Sequence, residues 1–178
     1  MPTLRPRRLA AVALALALAM WGAPPARATV VPLATGELAR ASALVVRGVV
    51  EETRARWTLD RSKIVTWAAI RVEEVCRGSH SRRRLVVEVE GGEVGGIGLK
   101  VTDVPTLAAG DRVVLFLERA TADTGRAIHR VVGDAQGAYR VDPDGIARKD
   151  GFHVAGDPSL VDWEIPLADL VRRAKESK

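Results

Sequence analysis

The segment IVTWAAIRV, residues 64–72, decides the fold class of the chain. The residue types in this segment alternate with a period of two, so that Ile64 and Ile70 share one face while Trp67 and Arg71 share the other. A period of two is that of a β-strand, whereas an amphipathic helix has a period of about 3.6. The segment therefore predicts a strand, and its neighbours indicate what kind of sheet it joins.

Segments of the same kind lie on both sides of residues 64–72. Further strands are predicted at residues 44–50, 85–89, 98–104 and 112–117, and shorter ones at 128–132, 138–141 and 146–148. Gly48, inside the first of these, marks a bulge or a sharp bend, which small barrels need at their corners. The run from Val113 to Leu117 is apolar on both faces, so it is expected to be a central strand that is covered on both sides.

Two helices complete the predicted fold. Residues 35–42 predict a short helix, with Thr35 as the N-cap and Glu37 in the first turn. A second helix is predicted over about residues 164–176, where Pro166 suits the first turn. Together the pattern predicts a mainly β fold, a small closed or partly open β-barrel that is OB-like, with a short N-terminal helix and a C-terminal helix.

The distribution of charge limits the classes of partner. The 178 residues are 47% hydrophobic, which suits one domain with a substantial core. The chain has 27 basic and 22 acidic residues, but four of the arginines precede residue 29, in a stretch without acidic residues. Residues 29–178 therefore carry a net charge of +1. This near neutrality argues against a broad phosphate-binding surface, and we expect no nucleic-acid partner.

Residues 1–28 have the pattern of a signal peptide. A basic start is followed by an apolar run over residues 9–21, and Ala26 and Ala28 are the small residues that a cleavage site requires. Cleavage after Ala28 would leave residues 29–178 as a single exported domain, periplasmic or extracellular. The alternative is a retained membrane anchor, but the apolar run is shorter than the ~20 residues of a spanning helix, so we expect no stable membrane insertion after cleavage.

The motifs of the chain predict no catalytic, metal or cofactor site. His80, His129 and His153 lie in different elements without the spacing of a zinc site, and no Gly-x-Ser-x-Gly motif is present. The glycine-rich residues 91–98 precede a strand-like run, not a helix whose N-terminus could hold phosphate. The single cysteine, Cys76, is interpreted as a small buried residue; an intermolecular disulfide or a reactive thiol is the alternative.

Two loops at the rim of the predicted barrel are the candidate surfaces for binding a partner. Their candidate contact residues are Arg82, Arg83, Arg84, Glu93, Val94 and Ile97. A run of three arginines is also typical of a solvated loop that has no binding role. Exposed tryptophans could stack on a sugar or a base, but the small number of aromatic residues favours packing roles for Trp57, Trp67 and Trp163.

Three segments carry a resemblance to known proteins. Residues 43–50 (ALVVRGVV), 70–78 (IRVEEVCRG) and 110–117 (GDRVVLFL) resemble uncharacterised exported bacterial proteins and, more distantly, the OB-fold barrel of netrin-like domains and tissue inhibitors of metalloproteinases. The resemblance covers residues 35–142 approximately and implies a fold more than an activity. Such inhibitors resemble one another in an N-terminal cysteine that chelates the protease zinc. This chain would begin at Thr29 and has one cysteine, so that mechanism is not carried over.

The sequence thus predicts an exported, non-catalytic domain that binds a partner, which we expect to be another exported protein. Two alternatives remain open. An inhibitor or accessory protein of a secreted protease is suggested by the distant resemblance. An unrecognised hydrolase would need His129 or His153 to lie beside a serine or an aspartate in a pocket.

Overall fold

The computed structural model describes residues 30–177 of the chain. Its helices and strands, in chain order, are α1 (Thr35–Ala41), β1 (Leu44–Trp57), β2 (Ile64–Arg77), β3 (Arg84–Glu90), β4 (Gly92–Val94), β5 (Ile97–Leu99), β6 (Arg112–Thr121), β7 (Ala127–Val131), β8 (Ala138–Val141), β9 (Ile146–Arg148), β10 (Glu164–Pro166) and α2 (Leu167–Glu176). The predicted signal peptide, with Ala26 and Ala28 at its cleavage site, lies outside the described residues. Neither of the two α-helices in the described range has the length and apolar character needed to cross a membrane.

Five strands pair in the order of a ring. β1 pairs antiparallel with β2 and with β6, β2 pairs antiparallel with β3, and β6 pairs antiparallel with β7. Within residues 30–177, β3 and β7 meet in parallel at one residue pair, Val87 and His129. The ring is therefore only partly closed, and β8, β9 and β10 continue the sheet beside β6. The predicted mainly β fold, with a short helix before β1 and a C-terminal helix, is confirmed.

The hairpin of β1 and β2 is longer than predicted, with 14 residues in each strand. Its register shifts at Gly48, because Arg47 pairs with Glu74 while Gly48 pairs with Val72. A Cβ atom on Gly48 would lie 2.4 Å from the carbonyl oxygen of Arg71, so the close approach of the two strands requires glycine at this position. The predicted bulge at Gly48 is confirmed.

The apolar side chains of β6 enter two separate clusters. Phe116 packs with Leu38 of α1 and Leu170 of α2, whereas Leu115 packs with Ile70 of β2 inside the ring. Successive side chains of a strand point to opposite faces, so each face of β6 is buried. Complete burial of a leucine or phenylalanine side chain stabilises the fold by about 1.5–3 kcal/mol. The prediction that this strand is central and covered on both sides is confirmed.

The predicted strand at residues 98–104 is wrong over most of its length. β5 ends at Leu99 and pairs with β4 in a separate hairpin. Asp103 has a φ of 62°, which a β-strand does not accommodate. The Asp103 carboxylate accepts a hydrogen bond from the backbone N–H of His153, and its carbonyl oxygen accepts one from Ala135. This segment is therefore fixed to the C-terminal part of the chain instead of joining the sheet.

The predicted N-cap of the first helix is also wrong. Ala34 occupies the N-cap position, and its backbone N–H donates a hydrogen bond of 2.9 Å to the Glu37 carboxylate. Thr35 is buried, and its hydroxyl lies 2.8 Å from the Tyr139 hydroxyl and donates to the Asp162 carboxylate at 2.7 Å. The threonine thus joins α1 to the sheet, because burial requires its hydroxyl to find partners there.

Candidate binding groove

An open groove of about 1540 Å³ runs over β1, β2, β3 and β7, beside the loop of residues 78–83 and the β6–β7 turn. The arginines that line it are Arg54, Arg56, Arg82, Arg83, Arg84 and Arg126. The acidic residues among its lining residues are Glu51 and Glu52. Basic side chains therefore outnumber acidic ones in the groove, although residues 29–178 are nearly neutral as a whole.

The second half of β1 supplies one wall of the groove. Glu52, Arg54 and Arg56 stand at every second position of the strand, so their side chains share one face. Arg54 pairs across the sheet with Trp67 of β2, and Trp67 pairs with Glu88 of β3. Three neighbouring strands therefore bring a guanidinium, an indole and a carboxylate side by side, with about 5 Å between neighbouring Cβ atoms.

Trp67 is half-buried in the groove and held in one orientation. Its indole N–H donates a hydrogen bond of 2.9 Å to the Glu88 carboxylate, which also accepts one of 2.8 Å from Arg130 of β7. The guanidinium carbons of Arg56 and Arg126 lie 4.9 and 5.2 Å from the indole ring centre. Both distances are within the range of cation–π attraction. Trp67 therefore contacts cations as well as the sheet, so the predicted packing role describes only part of its environment.

An ion pair fixes one end of the groove. Arg56 donates two hydrogen bonds, of 2.7 and 3.0 Å, to the Asp123 carboxylate, which also accepts one from the backbone N–H of Leu59. These bonds raise the pKa of Arg56 and lower the pKa of Asp123. A bidentate pair of this kind has a defined geometry. It ties the β1–β2 turn to the β6–β7 turn.

Most of the groove arginines, in contrast, have no acidic partner. Arg84 pairs with Glu51 at 2.6 Å, and Arg56 pairs with Asp123 as described above. The remaining four are exposed and make no ion pair with any residue in the range 30–177: Arg54, Arg82, Arg83 and Arg126. Each guanidinium carries five N–H donors in a planar fork, so these side chains can bind an anionic ligand without first breaking an internal bond.

Two histidines of the groove lie against each other. The ring centres of His80 and His129 are 6.0 Å apart, with the rings at 80°. The His80 Nε2 atom lies 3.2 Å from the Arg84 carbonyl oxygen, whereas the His129 Nδ1 atom is buried and has no hydrogen-bond partner in the described part of the chain. Burial, and then the charge of His80, lower the pKa of His129. The His129 imidazole is therefore neutral near pH 7.

The six predicted contact residues fall into two separate places. Arg82, Arg83 and Arg84 line the groove; Arg84 is the first residue of β3, and the other two directly precede it. Glu93, Val94 and Ile97 belong to the β4–β5 hairpin, which follows the last residue of β3. That hairpin packs on the β1–β2 hairpin, because a Cβ on Gly92 would lie 2.9 Å from the Cβ of Ala55. The two predicted loops thus stand at opposite ends of one strand.

The sequence predictions missed the part of the groove that the strands supply. Arg54, Arg56 and Arg126 were not candidates, and the contact between His80 and His129 joins residues from different elements. One signal was available, since charged residues alternate along residues 52–56 as they would on an exposed strand face. The neighbouring strands that complete the surface could not be inferred from that alternation.

The hydrolase alternative required a histidine beside a serine or an aspartate. His129 lies against His80, as described above, and the backbone N–H of His153 donates 3.2 Å to the Asp103 carboxylate. Across residues 30–177, no three histidine, cysteine, aspartate or glutamate side chains converge to form a metal-binding group. Ser79 and Ser81 line the same groove as His129, but the buried Nδ1 atom of His129 has no hydrogen bond to either hydroxyl within the described residues.

Two further titratable groups are buried away from the groove. Cys76 is 5% exposed in the apolar cluster beside Phe116, and burial raises the pKa of its thiol to about 11. Lys149 is 6% exposed, with its ammonium nitrogen 4.4 Å from the Tyr139 ring centre. Burial lowers the pKa of Lys149 to about 7. The predicted burial of Cys76 is confirmed, and its raised pKa keeps the thiol protonated.

Comparison with known proteins assigns no family to this arrangement. No protein-family model matches the chain, and no curated protein sequence matches it significantly.

Proposed function

We propose that the chain is an exported, non-catalytic binding domain that holds another exported protein in the groove over β1, β2, β3 and β7. The observation that carries this proposal is that six arginines and two glutamates line one groove, in a domain whose overall charge is close to zero, and that four of these arginines are exposed and make no ion pair within residues 30–177. Exposed arginines that make no ion pair within residues 30–177 also lie outside the groove, at Arg40, Arg61, Arg112 and Arg119, so the excess of arginine over glutamate in the lining is what distinguishes the groove. A local excess of one charge raises the local concentration of an oppositely charged partner.

The pairing of the strands supports the OB-like arrangement that the sequence predicts. The order β1-β2-β3-β7-β6 with a return to β1, and the parallel contact of β3 with β7, form a partly open five-stranded ring. In OB-folds the face of the second and third strands, together with two flanking turns, is the usual ligand-binding surface. The groove uses β2, β3 and the β6–β7 turn, which is tied to the β1–β2 turn through Asp123, and this agrees with that location.

A capture experiment with matched variants tests the proposal. Three proteins would be immobilised and exposed to envelope and culture extracts of the source organism. They are the full chain, a groove variant with Arg82→Gln and Arg83→Gln, and a control variant with Arg40→Gln and Arg112→Gln. Both variants lose two positive charges from exposed positions, but only the first changes the groove. We expect a protein that the full chain and the control variant retain and the groove variant loses. Equal retention by both variants would contradict the groove as the binding site.

Export is the second part of the proposal. Its support is the signal-peptide pattern that ends at Ala28. Fractionation of expressing cells, followed by N-terminal sequencing, would test it. We expect the protein outside the cytoplasm, with Thr29 as its first residue. Recovery of uncleaved chain from the cytoplasm would contradict it.

A further inference from the structure

We propose that the groove takes an extended acidic peptide segment of the partner protein, with carboxylates spread over about five residues. This inference rests on the proposed function, because it names the ligand class of the same groove. It follows from the spacing of the groove arginines, from the environment of Trp67 and from the position of the groove's own carboxylates.

The spacing of the arginines requires an extended ligand. Arg54 pairs with Trp67 on β2, and Arg84, which adjoins Arg82 and Arg83, pairs with Arg71 four residues further along β2. The two ends lie on β1 and β3, two strand spacings of about 4.8 Å apart, and are offset by four residues that each rise about 3.3 Å. The ends of the groove are therefore roughly 16 Å apart. A single carboxylate or phosphate group cannot reach both ends. An extended peptide of about five residues can.

The charge of the unpaired side chains specifies the ligand's chemistry. Each guanidinium fork can bind one carboxylate through two parallel hydrogen bonds, which combines charge attraction with a defined orientation. Arg82 and Arg83 stand on the loop before β3, while Arg54 and Arg126 stand across the groove near Trp67. Aspartate or glutamate residues spaced along one peptide can therefore meet both groups of arginines.

A nucleic-acid strand would fit the same groove less well. Base stacking needs free aromatic faces, but the Trp67 ring lies against two arginines, and its N–H group is already bonded to Glu88. Glu51 and Glu52 also line the groove. A regular phosphate backbone carries a charge at every nucleotide and must pass close to these carboxylates. A peptide can place uncharged residues opposite them.

A binding assay with defined peptides tests the ligand class. The probe is a fluorescent decapeptide of alternating glutamate and serine, and its matched control replaces every glutamate with glutamine. A glutamate dipeptide and a decamer of deoxythymidine are the other two probes. The full chain is titrated against each probe by fluorescence anisotropy or, for the dipeptide, by calorimetry.

We expect the acidic decapeptide to bind at least tenfold more tightly than the glutamine decapeptide, the dipeptide or the oligonucleotide. A variant that combines four substitutions should weaken acidic decapeptide binding at least tenfold: Arg54→Gln, Arg82→Gln, Arg83→Gln and Arg126→Gln. The Arg40→Gln and Arg112→Gln control should change it less than twofold. Circular dichroism of each variant would verify that it is folded, since the replaced side chains are exposed.

The other outcomes separate the ligand class from the proposed function. Tighter binding of the oligonucleotide, or equal binding of the glutamate and glutamine peptides, would overturn the acidic-peptide inference. Absence of binding to every probe, while the groove variant still loses its captured protein, would overturn the inference and leave the proposed function standing. Retention of the captured protein by the groove variant would overturn both.

Discussion

The groove and the buried site of Lys149 both hold cations without an acidic hydrogen-bond partner, but water reaches only one of them. In the groove, Arg82 and Arg83 are exposed and make no ion pair within residues 30–177. The Lys149 side chain is 6% exposed, and its Nζ atom has no hydrogen-bond partner among the same residues. Its contact with the Tyr139 ring gives only partial compensation for lost hydration.

The consequences of the two environments are opposite. Hydrated guanidiniums keep their charge at every physiological pH, so the groove arginines remain available to an anionic ligand. Burial lowers the pKa of Lys149 to about 7, so a large fraction of this side chain is neutral near neutral pH. An unpaired cation can therefore serve in binding only where solvent and a ligand reach it. Elsewhere it indicates a cost in stability.

Replacement of Lys149 with methionine should produce the largest effect. The pKa of Lys149 is about 7 in the folded chain and 10.5 as a free side chain, so the unfolded chain binds one more proton between these pH values. Wild-type stability should therefore rise with pH across this window. Lys149→Met removes the cost, and should stabilise the fold by up to about 5 kcal/mol at pH 7 and below.

Urea unfolding at several pH values would measure this difference. The gain from Lys149→Met should shrink as pH rises from 7 towards 10.5, because lysine becomes neutral in both states only above the pKa of the free side chain. Lys100→Met is the matched control, because Lys100 is exposed and its replacement should change stability little. A gain that is constant between pH 7 and pH 10.5 would mean that packing, and not the buried charge, explains it.

A higher salt concentration should weaken ligand binding in the groove and leave the effect of Lys149 on stability nearly unchanged, which is the second largest expected difference. Raising the ionic strength from about 0.05 M to about 0.5 M shortens the screening length several-fold, which weakens attraction between exposed charges. We expect acidic-decapeptide binding to weaken about tenfold or more. The stabilisation by Lys149→Met should remain nearly constant, because a buried charge is screened far less. Salt-independent peptide binding would indicate that the groove arginines are not the source of affinity.

The histidine pair should add a smaller, pH-dependent contribution to binding. Burial and the neighbouring His80 lower the pKa of His129, and Arg119 contributes in the same direction. Carboxylates bound nearby favour the protonated imidazole, so ligand binding is accompanied by proton uptake and becomes tighter as pH falls. Between pH 7.5 and 5.5 we expect a several-fold increase, bounded by about tenfold per pH unit for one proton.

His129→Gln should reduce this pH dependence while leaving affinity at pH 7.5 within about twofold, since the wild-type imidazole is neutral there. His153→Gln is the control, because His153 does not line the groove. The same titrations by fluorescence anisotropy would measure both variants. An unchanged pH dependence in His129→Gln would assign it to other groups.

A paired arginine should show the smallest effect. Arg148 forms ion pairs with Asp142, Asp144 and Glu164, and the hydrogen bonds to Asp142 and Glu164 raise its pKa. We expect Arg148→Gln to lower the melting temperature slightly and to leave decapeptide binding unchanged. Exposed ion pairs contribute little to stability, since hydration and screening offset their attraction. A loss of binding comparable to that of a groove arginine would contradict the distinction between paired and unpaired side chains.

The strands of the ring could be predicted because their signal is local. Alternation along residues 64–72 and the apolar run from Val113 to Leu117 both record burial directly in the sequence. The error at residues 98–104 has a different origin. Asp103 adopts a left-handed conformation that contacts with His153 and Ala135 stabilise, and those residues are distant in the chain. No local pattern reports such contacts.

The groove could be predicted only in the loop that carries Arg82 and Arg83. The rest depends on which strands become neighbours: Trp67 meets Glu88 across β2 and β3, and the β6–β7 turn brings Arg126 to the same indole ring. A charge run is visible in one segment, whereas the absence of acidic partners is a property of the folded surface. The sequence therefore located one part of the surface and could not establish that its arginines are unpaired.

The parallel contact between β3 and β7 makes this part of the ring the easiest to open. Within residues 30–177 one residue pair bridges the two strands, whereas β1 and β2 pair along nearly their whole length despite register shifts such as the one at Gly48. Backbone amides that few bonds protect exchange their hydrogens during local fluctuations, long before global unfolding. Deuterium uptake in native conditions should therefore begin along this seam, and His129 stands on it. We therefore expect a bulky ligand to widen the groove wall at this seam while the β1–β2 hairpin stays paired.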